Sequence, residues 1–117
     1  MIHFSAIIFI VVLNFVEPVD ILMEGERIQT QALVDTGATI CSIHESLVSD
    51  TVLRASEKTT RVTLANGKKI RRPVVYLNIE LRGRTLSGVR FYVKNGGTRE
   101  VSIGRNVIKL GYVVAVR

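Results

Sequence analysis

The chain has 117 residues, the size of one domain, and a domain of this length buries roughly 65% of the surface of its unfolded chain. Its single cysteine, Cys41, excludes an internal disulfide, and its two histidines, His3 and His44, lie far apart in the sequence, so we expect no metal and no other cofactor. The net charge is +6, which suits an anionic partner or solvated strand faces. Because no reader helix, zinc finger or stacking platform accompanies the charge, nucleic acid is not expected as the main partner.

Residues 1–16 form an apolar extension that we treat separately from a domain at residues 17–117. The apolar run at residues 6–13 is shorter than the roughly 20 residues that cross a bilayer, and no Lys or Arg precedes it as a secretory signal requires. Its β-branched content and Pro18 at its end favour a buried strand, covered by the domain or by a partner chain. A membrane anchor is the less favoured alternative.

Short strands and turns dominate the rest of the chain. Two hairpins are predicted: the first joins residues 19–24 to residues 27–34, and the second joins residues 62–64 to residues 69–72 through Asn66-Gly67. Further strands are predicted at residues 38–43, 75–81, 85–93, 101–103 and 112–116, with helical turns at residues 44–48 and 105–110. The pattern predicts an all-β domain with one or two small helices.

The stretch QALVDTGATICSIHESL, residues 31–47, carries the chemical signal. Its apolar approach ends in Asp35, which opens a tight turn of small residues before another apolar strand begins. An acid in this place either caps the turn or performs chemistry. The other Asp residues in the domain, Asp20 and Asp50, are not followed by the glycine that lets the backbone approach closely.

Three segments resemble the retropepsins, the single-lobed aspartic proteases of retroviruses and long-terminal-repeat retrotransposons. They are EPVDILMEGERIQTQALVDTGAT, TLANGKKIRRPV and SIGRNVIKLGYVVAVR. Gly104-Arg105-Asn106 looks like the retroviral Gly-Arg-Asn turn and helix, and the second segment is similar to the flap hairpin of gypsy-type elements. The resemblance implies an all-β, single-lobe, closed β-barrel-like fold with a short C-terminal helix, active as a homodimer.

Such proteases hydrolyse peptides with two carboxyl groups, one taking a proton from water and the other giving a proton to the scissile carbonyl. Two carboxyl groups about 3 Å apart share one proton, which allows these opposite roles. One chain supplies one Asp-Thr-Gly turn. We therefore expect the second carboxyl group to be Asp35 of a second chain on a two-fold axis, and a monomer to be inactive.

The resemblance also assigns roles to individual residues. Asp35, Thr36 and Gly37 are expected to be catalytic, with Thr36 bonding across the dimer axis. An extended polypeptide substrate, bound as an added strand, is expected to contact Ala38, Thr39, Leu64, Ala65, Asn66, Gly67, Lys68, Ser102 and Ile103. Structural or dimer-forming roles are expected for Gly104, Arg105, Asn106, Val113, Val114 and Ala115.

Three features depart from the family pattern. Thr39 replaces the acid that commonly pairs with the arginine of Gly-Arg-Asn, so Arg105 must find another partner or pair less strongly. Ser102 replaces an apolar residue that lines a central pocket. The second hairpin is basic at residues 68–72, which indicates either solvated strand faces or a preference for acidic substrates.

We therefore expect an aspartic endopeptidase that processes a retroelement polyprotein, inside cells or within virus-like particles. One alternative is a non-catalytic module of retropepsin fold that serves dimerisation or binding. A third interpretation is a protease tethered to a membrane by residues 1–16.

Overall fold

The computed structural model describes residues 16–64, 66–97 and 100–111. Residues 1–15 of the extension expected at residues 1–16, the strand expected at residues 112–116, and residue 65 lie outside the described residues. The elements in chain order are β1 (Val16–Met23), β2 (Glu26–Val34), β3 (Cys41–His44), a 3-10 turn (Glu45–Leu47), α1 (Asp50–Arg54), β4 (Lys58–Thr63), β5 (Lys69–Leu81), β6 (Arg84–Lys94), β7 (Val101–Ile103) and α2 (Arg105–Ile108).

The described strands form a closed barrel. Their order is β1-β2-β7-β3-β6-β5-β4, and β1 also pairs with β5, so six strands close a ring and β4 extends it from β5. The predicted all-β class, with a closed barrel and a short C-terminal helix, is confirmed. Within the described ranges, no helix is long and apolar enough to cross a bilayer.

The hairpins follow from the local sequence. β1 and β2 pair in antiparallel register around Gly25, which adopts a φ of 72° that side chains rarely allow. In β5 the apolar side chains point inward at every second position, as period-two burial predicts. The residues of this strand in the core cluster are Val75, Leu77, Ile79 and Leu81, and the neighbouring Val74 is also buried.

The short strands β3 and β7 lie in the middle of the sheet. β7 pairs in parallel with β2 and antiparallel with β3, and β3 pairs in parallel with β6. Every residue of β7 is buried, and so are the first three of β3, as expected for strands covered on both faces. This topology places the end of β2, and the acid that follows it, beside the end of β7.

Some element boundaries differ from those predicted. β1 begins two residues before Pro18, and β5 is one continuous strand that includes Pro73. Proline is tolerated there because β5 pairs with β4 alone at that position, and its pairing with β6 begins at Val74. The helix α1 was not predicted, although Ser49 supplies an N-cap, accepting a hydrogen bond from the amide of Val52 at 3.3 Å.

Candidate active site

The turn at Asp35 is built by backbone hydrogen bonds. The Asp35 amide donates to the carbonyl of Ile103 at 2.9 Å, which ties the turn to β7, and the Ala38 amide closes the turn on the carbonyl of Asp35 at 3.2 Å. The Gly37 amide donates to Asp35 Oδ1 at 2.9 Å. The aspartate is therefore held in one orientation by its own turn.

Glycine at position 37 suits this close approach. A Cβ added to Gly37 would lie 3.3 Å from Asp35 Oδ1, tighter than an ordinary van der Waals contact. A side chain there would push against the carboxylate that the amide binds. The small residue thus allows the backbone to approach the acid, as the sequence predicts.

The turn is also fixed from the other side by the start of α2. The amides of Arg105 and Asn106 donate to the carbonyls of Ala38 and Thr39, at 2.8 and 3.2 Å. A Cβ added to Gly104 would lie 2.5 Å from the carbonyl carbon and oxygen of Ile40 and 3.0 Å from the carbonyl oxygen of Ala38. The backbone segments are packed too closely there for any residue except glycine.

The side chain of Arg105 reaches the same turn. Its Nη1 donates to the carbonyl of Thr36 at 3.4 Å and its Nη2 donates to Thr39 Oγ1 at 3.2 Å. The arginine therefore binds two neutral oxygens. Thr36 is exposed in the single chain, and its carbonyl contributes to this anchor.

Asn106 links three parts of the barrel. Its Oδ1 accepts hydrogen bonds from the amide and Sγ of Cys41, at 3.1 and 3.3 Å, and its Nδ2 donates to the carbonyl of Arg90 at 3.1 Å. The Gly104 amide donates to Cys41 Sγ at 3.4 Å. Burial raises the pKa of the Cys41 thiol from 9.0 to about 11, so the thiol stays protonated near neutral pH.

A groove of about 540 Å³ opens between the Asp35 turn and the strands β4 and β6. Its lining consists of Asp35, Gly37, Ala38, Thr39, Ile40, Thr60, Arg61, Val62, Thr63, Arg90 and Tyr92. The first four were predicted from the sequence. Ile40 and the residues of β4 and β6 were not predicted. β6 reaches this place through its parallel pairing with β3, which sets Tyr92 opposite Ser42.

Other predicted contact residues lie elsewhere in the single chain. The side chain of Ile103 is fully buried in the core and contributes its carbonyl to the Asp35 turn. Ser102 is 8% exposed and lies between Leu33 and Ser42 in the sheet. Neither residue lines the groove beside Asp35, so in the single chain neither side chain lies where a ligand in that groove would contact it.

The tip of the second hairpin projects beyond the groove lining. The Leu64 amide donates to the carbonyl of Lys68 at 2.8 Å, and the Lys68 amide donates to Asn66 Oδ1 at 2.9 Å. Gly67 has a φ of 85°, and Leu64 is 38% exposed. Residue 65 and residues 113–115, to which roles were also assigned, lie outside the described residues.

No three His, Cys, Asp or Glu side chains lie close enough to hold a metal ion within the ranges that the structure describes. A second cavity of about 350 Å³ lies between α1 and β5 and contains no residue of the Asp35 turn. The groove beside Asp35 is therefore the candidate site.

Comparison with known proteins identifies the family and the fold of the chain. A family model described as aspartyl protease matches residues 18–107, whereas a comparison with curated protein sequences finds no match. The solved structures that resemble the chain are at most 20% identical to it among those given below, so their likeness shows the fold alone. Three solved structures resemble the chain. An inhibitor complex of EIAV protease has 18% identity and a TM-score of 0.62, over 88% of this chain and 93% of that chain. The protease of simian foamy virus has 19% identity and a TM-score of 0.57, over 86% of this chain and 99% of that chain. A Legionella pneumophila protein of unknown function has 20% identity and a TM-score of 0.53, over 83% of this chain and 86% of that chain. Because the family model covers most of the chain, the protein belongs to the aspartyl protease family, and its fold is that of the retroviral proteases, as the sequence resemblance implied.

Proposed function

We propose that the chain is an aspartic endopeptidase that acts as a homodimer through Asp35 of each protomer. The observation that carries this proposal is the placement of Asp35. Its carboxylate is oriented by the Gly37 amide at 2.9 Å, on a turn bonded to β7 and to α2, and it lines a groove. A carboxylate fixed in a groove is suited to binding and activating a water molecule.

The composition of the groove supports the need for a second chain. Among its described lining residues Asp35 is the only carboxylate, and general acid–base hydrolysis of a peptide needs two carboxyl groups. The second group would come from the same turn of another protomer on a two-fold axis. Thr36, exposed in the single chain, would then bond across that axis, as the family resemblance suggests.

The substrate would bind as an extended strand. β4 is the last strand in the sheet order and pairs, among the described strands, with β5 alone, so its other edge is available for a peptide backbone. Thr60, Val62 and Thr63 of this strand line the groove. The hairpin that β4 forms with β5 would close over the peptide and exclude water from the reacting carboxyl groups.

The natural substrate would be the polyprotein of a retroelement. The protease would cleave it either while still part of that polyprotein or after its own release. This part rests on the resemblance to retropepsins. Two protomers at high local concentration in an assembling particle would then favour the active dimer by mass action.

The test uses a mixed peptide library at mildly acidic pH, with the wild-type chain, Asp35→Asn and the matched control Asp50→Asn. Asparagine at position 35 keeps an oxygen that can accept the Gly37 amide, so the turn should fold. We expect Asp35→Asn to lose cleavage by about 10³-fold or more, and Asp50→Asn, which changes an exposed residue of α1, to cleave normally.

Two further readouts test the shared site. Wild-type activity should rise faster than linearly with concentration, and an excess of Asp35→Asn should suppress it by forming mixed dimers. Suppression without loss of total dimer would show that each site needs both aspartates. If the wild-type chain cleaves nothing at concentrations where it is dimeric, the enzyme proposal fails and the non-catalytic module takes its place.

A further inference from the structure

The groove beside Asp35 carries more positive than negative charge. Its described lining has one carboxylate, Asp35, and two guanidinium groups, Arg61 and Arg90. Two other arginines of the barrel are paired with acids: Arg27 lies 2.6 Å from Asp20 and also contacts Glu80, and Arg82 binds Glu17. The two guanidinium groups of the groove are therefore not balanced by acids as those of Arg27 and Arg82 are.

Arg90 is the cation whose position favours contact with a ligand. It lies on β6, with an exposed side chain, two residues before the half-buried Tyr92, so strand alternation puts both side chains on the same sheet face. Its carbonyl accepts the Asn106 side chain at 3.1 Å, which connects this part of β6 to α2 and so to the anchor of the Asp35 turn. In the part of the chain that the structure describes, Arg90 forms no ion pair.

The hairpin next to the groove adds to the positive field. Residues 58–79 contain six Lys or Arg and no Asp or Glu. Arg61 lies directly opposite Arg71 in the β4–β5 register, an arrangement in which like charges destabilise a strand pair. The nearest acids in the sequence, Glu57 and Glu80, lie just outside this range. A groove of this charge attracts anionic groups.

We infer that the groove takes a peptide with an acidic side chain, and that Arg90 is the residue that binds that carboxylate. The inference rests on the proposed peptidase function and deepens it by naming a substrate class. A guanidinium group binds a carboxylate through two parallel N–H donors, which fixes direction as well as charge. Closure of the hairpin over the peptide would remove water from this pair and strengthen it.

A peptide is favoured over a polynucleotide because of the shape of the site. The free edge of β4 offers backbone donors and acceptors to an extended chain, and Tyr92 is the one aromatic residue in the described lining, so no row of rings is present on which successive bases could stack. The positive charge alone would serve either partner.

Binding to Asp35→Asn tests the inference without catalysis. Fluorescence anisotropy is measured with labelled peptides that differ only in Glu, Gln or Lys at one scanned position. We expect the best Glu peptide to bind about tenfold more tightly than its Gln counterpart, with a preference that weakens as salt is raised. Arg90→Glu in the same background should favour the Lys peptide, whereas Arg54→Glu, a charge reversal on exposed α1, should keep the Glu preference.

The outcomes separate the two proposals. If Glu and Gln peptides bind equally, if none binds, or if Arg90→Glu behaves like Arg54→Glu, the acid-binding assignment is overturned. A single-stranded oligonucleotide that displaces the Glu peptide with equal or greater affinity would also overturn it. If the Glu preference is present but the wild-type chain cleaves no peptide, the peptidase proposal fails and the acid-binding groove remains; cleavage without any preference for Glu would show the reverse.

Discussion

The Asp35 turn lines the groove and the tip of the β4–β5 hairpin lies beyond the groove lining, and the two are held in different ways. The turn is bonded to β7 and α2 through amides, carbonyls and the side chain of Arg105, next to hydrogen bonds between the buried Cys41 and the half-buried Asn106. The hairpin tip is exposed, and the hydrogen bonds described there join residues 64–68 to one another. A segment with little buried surface opens at low free-energy cost. The acid is therefore held by contacts with distant strands, whereas the hairpin tip, among the described residues, is held by local contacts alone.

The largest expected effect comes from a substitution that disrupts the anchor of the Asp35 turn. Gly104→Ala would place a methyl group 2.5 Å from the carbonyl of Ile40, where backbone atoms cannot move aside without breaking the anchor of α2. We expect the free energy of unfolding to fall by about 3 kcal/mol or more, measured by urea denaturation monitored by circular dichroism.

The controls for this prediction are the same substitution at Gly67, on the hairpin, and at Gly96, in the loop after β6. A Cβ at Gly67 meets no atom within 4 Å, so Gly67→Ala should cost only the strain of a φ of 85°, about 1 kcal/mol. Gly96→Ala, also with no atom within 4 Å, should change stability by less than about 0.5 kcal/mol. Equal losses at Gly104 and Gly67 would mean that the close packing around Ile40 does not hold the turn.

A second prediction concerns the free energy of unfolding at alkaline pH, through Cys41 beside the anchor of the Asp35 turn. Burial raises the pKa of Cys41 from 9.0 to about 11, so the folded chain keeps a proton that the unfolded chain releases. This contribution to stability is fully present below about pH 9 and is lost as pH rises toward the folded pKa. Between about pH 9 and pH 11 we expect a loss of about 2 kcal/mol, measured by urea denaturation at each pH.

Cys41→Ala provides the comparison for the alkaline loss. The variant should be less stable at neutral pH but should show a smaller decline above about pH 9. Burial lowers the pKa of Lys94, which acts in the opposite direction, but that lysine is present in both chains and cancels in the difference. Parallel declines in the two chains would exclude the thiol as their source.

The comparison also shows which features can be predicted from sequence. The hairpins, the period-two burial of β5 and the Asp35 turn follow from neighbouring residues, and each was predicted. Local patterns carry this information because turns and strand faces are set by residues a few positions apart. The boundaries of β1, β4 and β5 were less accurate, since strand ends depend on which neighbour is available for pairing.

The rest of the site depends on pairings between distant segments. Arg90 and Tyr92 reach the groove because β6 pairs with β3, and Asn106 binds Cys41, which lies 65 positions earlier. Ile103 is buried and acts through its carbonyl, a role that its apolar side chain does not reveal. Single-sequence patterns contain no signal for such partners.

The smallest expected effect tests how much the side chain of Arg105 contributes to the anchor of the Asp35 turn. Thr39→Asp would place a carboxylate opposite Arg105, whose Nη2 lies 3.2 Å from Thr39 Oγ1. Because both side chains are exposed, the new ion pair should add about 0.5 kcal/mol, measured by urea denaturation near neutral pH. The gain should disappear as pH falls below about 4, where the new carboxylate is protonated, and should shrink in about 1 M salt.

Thr39→Asn, similar in size and neutral, should show no such gain, and a double-mutant cycle with Arg105→Gln should remove it. A gain that survives Arg105→Gln would contradict the pairing. A gain well above about 1 kcal/mol would mean that Arg105 is poorly satisfied by its neutral partners and that the turn depends on this side chain. The small value is expected because the amides of Arg105 and Asn106 already hold the turn, so that a carboxylate at position 39 would only reinforce an anchor that the backbone forms.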